Sequence, residues 1–279
     1  MNYIGAHINK DGSILNTISK ITANNGNAIQ IFASSPMNSS LPDLKKIKKE
    51  SKEIINYCNE KDFKVVVHGS YVINLANTKI NKRYVEIQDR WWIKLLIAEL
   101  DACEIINGIG VVVHVGKYTT STEENGFNNM YLTIKYILKY LKENKYNSKL
   151  IIETPAGVGT ELLVGYDKFI KFYDKFDNDD KKNLGICLDT AHIWSSGYNL
   201  VDYYNNMKKY HKDILVIHYN NSKMDKGSKV DRHETILEGK ISYNDMKKFL
   251  LALEKNPIII LEKPSNRLNE DISFIKKVI

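Results

Sequence analysis

With 279 residues, 43% of them hydrophobic and 26% charged, the chain has the composition of a folded globular protein and not of a disordered one. No run approaches the ~18 consecutive apolar residues that span a bilayer. The start Met1-Asn-Tyr-Ile-Gly-Ala-His7 lacks the charged and apolar regions of a signal peptide, so an intracellular, soluble protein without a membrane partner is expected. The net charge of +7 suits a polyanionic partner. It does not decide the matter, because Lys45-Lys46-Ile47-Lys48-Lys49 also reads as the solvated face of a helix. Cys58, Cys103 and Cys187 are widely spaced and form no Cys-x-x-Cys pair, which predicts reduced thiols and no thiolate metal site.

In chain order, short β-branched runs predict strands near Tyr3–Ala6, Ala28–Phe32, Lys64–Val67, Gly110–Val113, Leu150–Ile152, Gly185–Leu188, Ile214–Ile217 and Pro257–Leu261. Helical periods lie between them, including Asp43–Glu60, Lys82–Ile106, Gly126–Lys145, Tyr166–Phe176, Leu200–Lys209, Tyr243–Glu254 and Glu270–Val278. Strict β–α alternation with strands apolar on both faces implies a parallel sheet covered by helices. Eight such units, with no linker and no Gly-x-Gly-x-x-Gly after the first strand, predict an α/β fold of one closed (β/α)8 TIM barrel over residues 1–279.

The predicted strand exits carry the chemistry. Strands three to eight end in His68, His114, Glu153, Asp189, His218 and Glu262, and catalytic groups of such barrels gather where the carboxyl ends of many strands converge. His192 follows Asp189 by three residues, and Asp231-Arg232-His233 places two donors on one side of an extended segment. Nine imidazole and carboxylate groups exceed what one tetrahedral ion uses, so two or three ions sharing a bridging carboxylate are expected. The donor set suits Zn2+, with Mn2+ or Fe2+ as alternatives. Such sites favour in-line displacement at phosphorus. His7 reads equally as a substrate contact or a structural residue, and His211 as a solvated loop residue. Tyr71 and Val72, in the loop after strand three, are candidates to wedge into a base stack.

These motifs together resemble the endonuclease IV family of apurinic/apyrimidinic endonucleases over essentially the whole chain. The resemblance is carried by His68-Gly-Ser-Tyr71-Val-Ile-Asn74-Leu-Ala76, Glu153-Thr-Pro-Ala-Gly157, Gly185-Ile-Cys-Leu-Asp189-Thr-Ala-His192, His218-Tyr-Asn-Asn-Ser-Lys223, Gly227-Ser-Lys-Val-Asp231-Arg-His233 and Leu261-Glu262. It implies a monomeric enzyme with three zinc ions that incises duplex DNA on the 5′ side of an abasic nucleotide, leaving a 3′-hydroxyl and a 5′-deoxyribose phosphate. It implies that His68, His114 and Glu153 hold one ion and that Glu153 bridges to a second held by Asp189, His218 and Glu262. His192, Asp231 and His233 would hold the third. The implied nucleophile is a hydroxide between the first two ions, so Glu153 and Glu262 are the catalytic carboxylates.

By the same resemblance the abasic nucleotide is flipped out of the duplex, with Tyr71 and Val72 as the wedge. Lys117, Lys223 and Arg232 are added as phosphate contacts on charge and position. The chain departs from the family pattern in three places. The loop Phe32-Ala-Ser-Ser-Pro-Met37-Asn38 has no arginine where members commonly insert one, Val72 stands where leucine is common, and Asn221 replaces an acidic residue. If that acid orients a ligand, its loss is expected to weaken metal binding. Two alternatives remain open. One is a metal-dependent sugar-phosphate isomerase or epimerase of similar barrel fold, and the other is a binding protein that recognises abasic DNA without cutting it.

Overall fold

The computed structural model describes residues 2–10, 12–77, 86–263 and 266–279. Eight parallel strands close a barrel: β1 (Ile4–His7), β2 (Ala28–Phe32), β3 (Lys64–His68), β4 (Gly110–His114), β5 (Lys149–Glu153), β6 (Leu184–Asp189), β7 (Ile214–His218) and β10 (Ile258–Leu261). Each pairs with its sequence neighbours, and β10 closes the ring between β7 and β1. A short antiparallel pair, β8 (Asn221–Ser222) and β9 (His233–Glu234), projects between β7 and β10. The helices α1 (Ile14–Ala23), α2 (Leu44–Lys61), α3 (Trp91–Ile105), α4 (Glu123–Glu143), α5 (Tyr166–Tyr173), α6 (Thr190–Ser195), α7 (Leu200–Asn206), α8 (Tyr243–Ala252) and α9 (Leu268–Val278) fill the connections among the described residues. The predicted (β/α)8 barrel is the observed one.

Strand geometry explains how the barrel fills. Successive side chains alternate faces, and the inward set Ala28, Val66, Val112, Ile151, Cys187, Val216, Ile258 and Ile260 forms one buried apolar cluster inside the barrel. The alternate residues, such as Ile29, Val65, Val67, Val111, Leu150, Ile186, Ile217 and Ile259, belong to the larger core shared with the helices. At Gly5 the strands crowd most closely, because a Cβ there would collide with the Ala28 carbonyl oxygen.

Several strands run one residue further than predicted, and the extra residue is the chemical one. His68 still pairs with Phe32 and Val112, His114 with Glu153, and Asp189 with His218, so the ladder itself fixes these side chains. Three helices differ from expectation, one of them α6, which no predicted period covers. The Lys82–Ile106 period begins as a helix only at Trp91, after a short turn at Ile87–Asp89, while its first residues, 82–85, lie outside the described ones. Helix α1 has no counterpart among the predicted periods, although Ser13 caps it by accepting from the Asn16 amide and Ile14, Thr17, Ile18 and Ile21 are buried.

Candidate metal centre

All nine donors meet at the carboxyl end of the barrel. The inward register puts His68, His114, Glu153, Asp189, His218 and Glu262 each two residues beyond an apolar member of the interior layer. Glu153 is central. Its Oε2 lies 3.2 Å from His114 Nε2 and 3.6 Å from His68 Nε2, while Oε1 lies 2.9 Å from His218 Nδ1. His218 Nδ1 also faces Glu262 Oε2 at 3.4 Å and Asp189 Oδ2 at 3.8 Å. Asp231 reaches in from the loop before β9, with Oδ2 3.3 Å from His192 Nε2 and Oδ1 3.1 Å from His233 Nε2.

Three overlapping groups bring their donor atoms within 4.8 Å of one another: His68, Glu153 and His218; Glu153, Asp189, His218 and Glu262; and Asp189, His192 and His233. The second contains the whole set expected around one ion. His114 and Asp231 join the other two by their contacts with Glu153 and with both distal imidazoles.

The hydrogen bonding fits bound cations. Glu153 Oε2, His192 Nε2 and His233 Nε2 are buried with no hydrogen-bond partner, and such atoms are costly unless something else satisfies them. His218 Nε2 lies 2.9 Å from Gln30 Oε1, so its N–H donates there and Nδ1 turns a lone pair toward three carboxylates. A divalent ion or a second proton relieves that arrangement. His68 and His192 use Nδ1 on the carbonyls of Gly69 and Thr154, both at 2.8 Å, which leaves Nε2 for the cluster. Burial alone would push the Glu153 carboxyl up, but His218 and His114 hold it well below the usual carboxylate range. Burial pushes the His114 imidazole down, toward the neutral form that ligates. All three cysteines are free, and burial pushes the Cys187 thiol below the site up to about 12.

Sequence reasoning missed the supporting amides. Gln30 is fully buried and bridges three site residues, with Nε2 3.0 Å from both Glu262 Oε1 and His7 Nδ1. Asn220 donates to Asp189 Oδ2 at 2.7 Å and to Glu262 Oε2 at 3.1 Å, and its carbonyl accepts from the Glu262 amide. Asp189 also caps α6 by accepting from the His192 amide at 2.8 Å, so one carboxylate fixes two donors. The signal for Gln30 was available, since it stands two residues after inward Ala28 as His68 stands after Val66.

The surrounding expectations divide. Tyr71 is 49% exposed, and its ring packs on Phe32, His68 and His114 at centroid distances of 5.2, 5.3 and 5.6 Å. Val72 is half-buried against the outer core. Lys117 is half-buried and pairs with Glu161 at 3.3 Å, Lys223 is exposed and pairs with Glu234 at 3.5 Å, and exposed Arg232 donates to the Asp231 carbonyl at 2.6 Å. Lys45, Lys46, Lys48 and Lys49 line the solvated side of α2 around buried Ile47, in keeping with the charge pattern. His7 stands beside Gln30 at the edge of the cluster, 3.5 Å from Glu262 Oε1, and burial pushes its imidazole down.

Two expectations are corrected. His211 is no solvated loop residue: a short helical turn, Lys208–Asp213, stacks it on Tyr204 at 3.8 Å and buries it. There it bonds to the Tyr204 carbonyl and Glu254. Asn221 orients no ligand. Its amide donates to the Ile236 and Ile241 carbonyls and its oxygen accepts from the Ile241 and Ser222 amides, so it pins the chain after β9. A carboxylate there would lose both donated bonds.

A closed parallel barrel with a buried polynuclear donor cluster at its carboxyl mouth defines a TIM-barrel protein with a candidate metal centre. The family model described as a xylose isomerase-like TIM barrel matches residues 20–278. The chain belongs to that family, within its endonuclease IV group of apurinic/apyrimidinic endonucleases. It is 29% identical over 272 residues to a "Probable endonuclease 4" of Mycoplasmopsis synoviae (strain 53), covering 94% of this chain and 92% of that relative. Among solved structures, endonuclease IV from Thermus thermophilus aligns over 99% of this chain and 98% of that one, with a TM-score of 0.78 and 22% identity. A D-tagatose 3-epimerase-like protein aligns over 100% and 97%, with a TM-score of 0.74 and 17% identity. At these identities the structural likenesses speak for the fold alone.

Proposed function

We propose that the chain is a DNA-repair endonuclease, a single-domain monomer over residues 1–279, that hydrolyses the phosphodiester 5′ to an abasic site in duplex DNA. The products are a 3′-hydroxyl and a 5′-deoxyribose phosphate. The observation that carries this reading is the convergence of seven of the nine His, Asp and Glu donors into three overlapping groups, with His114 and Asp231 in contact with them, in a member of the endonuclease IV group. His68, His114 and Glu153 would hold one zinc ion, Asp189, His218 and Glu262 with Glu153 a second, and His192, Asp231 and His233 a third, with Mn2+ or Fe2+ as alternatives. Bound divalent ions lower the pKa of water toward ~7 and neutralise charge on phosphoryl oxygens.

The chain's own groups do the rest. Glu153 and Glu262 hold negative charge at the centre of the site, Gln30 and Asn220 hold the Glu262 carboxylate in place, and the Tyr71 ring packs over His68 and His114. On this reading Tyr71, backed by Val72, is the wedge, while Arg232, Lys223 and Lys117 meet phosphates by leaving their present partners. Incision of an end-labelled duplex bearing a tetrahydrofuran abasic analogue tests the proposal. Zinc-replete protein cuts on the 5′ side and Glu153→Ala does not. An intact duplex in the presence of the unaltered, metal-replete protein sinks it.

The same barrel fold, matched by a family model described as xylose isomerase-like, leaves room for a second reading, a metal-dependent isomerase or epimerase acting on a sugar phosphate. That chemistry leaves Asp231 and His233 without a task, and one ion per chain would favour it.

A further inference from the structure

Near the mouth, among the described residues, Glu99 is a buried carboxylate that hydrogen-bonds to none of the nine donors, although it lies close enough to feel the charge of His68. It lies on α3 and is 0% exposed. Burial pushes its carboxyl up to about 7. Its Oε1 accepts from Ser34 Oγ at 2.6 Å and from the Ser70 amide at 3.1 Å, with Oε2 3.3 Å from the same amide. A buried acid without a counter-ion costs stability, and its hydrogen bonds to two loops offset part of that cost. Ser34 belongs to the loop after β2, and Ser70 to the loop after β3. The two loops are stitched again above the carboxylate: Ser70 Oγ lies 3.0 Å from the carbonyls of Ser35 and Pro36, and the Tyr71 amide donates to Pro36 O at 3.0 Å. One hydroxyl proton serves one of these carbonyls at a time, so Glu99 supplies the fixed part of the clasp. Beside the clasp stand two exposed apolar side chains, Met37 at 72% and Tyr71 at 49%.

We propose that Glu99 is a positioning residue for substrate binding, locking the β2 and β3 loops into one unit that holds Tyr71 over the donor cluster and presents Met37 and Tyr71 to a distorted duplex. This rests on the proposed endonuclease reading for its substrate, though not for the clasp. The clasp touches the loops and none of the nine donors, so its loss falls on recognition of the duplex and not on phosphodiester hydrolysis.

The experiment compares unaltered protein with Glu99→Ala, Glu99→Gln and Ser34→Ala in their metal-loaded forms. Four quantities are read: kcat and KM on the abasic duplex, hydrolysis of bis(p-nitrophenyl) phosphate, bound metal, and amide hydrogen exchange in peptides covering residues 69–77. For Glu99→Ala the expected result is a KM raised about tenfold, the size of one lost buried hydrogen-bond pair. Faster exchange at 69–77 should accompany it, with metal content and small-diester turnover unchanged. Glu99→Gln, which keeps a carbonyl acceptor, restores most of the KM. Ser34→Ala shows the same direction with a smaller amplitude and serves if Glu99→Ala does not fold. Unchanged exchange and KM overturn the proposal, and so does a parallel fall in metal content and small-diester turnover. If the unaltered protein hydrolyses the small diester and leaves the abasic duplex intact, the endonuclease reading fails, while the exchange data still decide the clasp.

Discussion

Two levels of the barrel interior, two residues apart on the same strands, do opposite work. The lower is apolar: Ala28, Val66, Val112, Ile151, Cys187, Val216 and Ile260 close the barrel with side chains that ask nothing of their neighbours. Above them, about 7 Å further along the strands, stand the polar side chains of Gln30, His68, His114, Glu153, Asp189, His218 and Glu262, and Glu153 Oε2 is buried there with no hydrogen-bond partner. Six of the nine candidate donors are therefore lined up at the barrel strand ends, while His192, Asp231 and His233 come from the segments after β6 and β7. Strand register positions those six, the apolar layer closes the barrel beneath them, and a bound cation would balance the carboxylates gathered there.

Mutations at the two levels should separate these jobs. The largest effect is expected at Glu153, which touches donors of all three groups. Glu153→Ala should lower incision of an abasic duplex by more than the ~100-fold typical of outer-shell losses, and a residual rate within tenfold of the unaltered protein would break the assignment. Next comes Gln30→Leu, which removes the acceptor for His218 and a donor to Glu262 while preserving volume. Metal affinity measured by chelator competition should fall by about 10–100-fold, and an unchanged affinity would mean that Gln30 merely fills space. One level down, Ile151→Ala should cost about 2–5 kcal/mol of stability in denaturant unfolding. Its metal stoichiometry should remain intact, and loss of metal with little loss of stability would erase the distinction between the levels. The smallest effect is at the rim. Arg232→Ala should weaken duplex binding modestly and reduce the salt slope of log K by about 0.9, the share of one phosphate contact; an unchanged slope would remove Arg232 from the DNA-binding surface.

The upper level was largely legible in the sequence because strand period and donor chemistry coincide there: an apolar run that stops on His, Asp or Glu announces both the strand and a candidate ligand. Gln30 obeyed the same period but carries an amide, which does not advertise metal chemistry. Asn220 was hidden between His218 and Asn221 for the same reason. Asn221 drew attention as a missing acid, although its importance is to four backbone groups that only the fold brings together. Glu99 was invisible in a helix whose buried residues include Trp92, Ile93, Leu95, Leu96, Leu100 and Cys103. A helix apolar on most sides is enclosed, and that was the available hint that its glutamate is enclosed too. The start of α3 and the burial of His211 depended on short helical turns that leave no periodic trace.

The central claim is that nine converging donors bind a cluster of ions that cuts abasic DNA, and one paired measurement reaches it most directly. Incision of a duplex carrying a single abasic analogue is followed before and after chelation, with metal content determined by mass spectrometry on the same samples. The account predicts two or three ions per chain in the active sample, a 3′-hydroxyl at the 5′ side of the lesion, loss of both on chelation, and recovery of both with zinc. Incision that survives complete removal of metal, or a fully loaded protein that leaves the duplex intact, would contradict it.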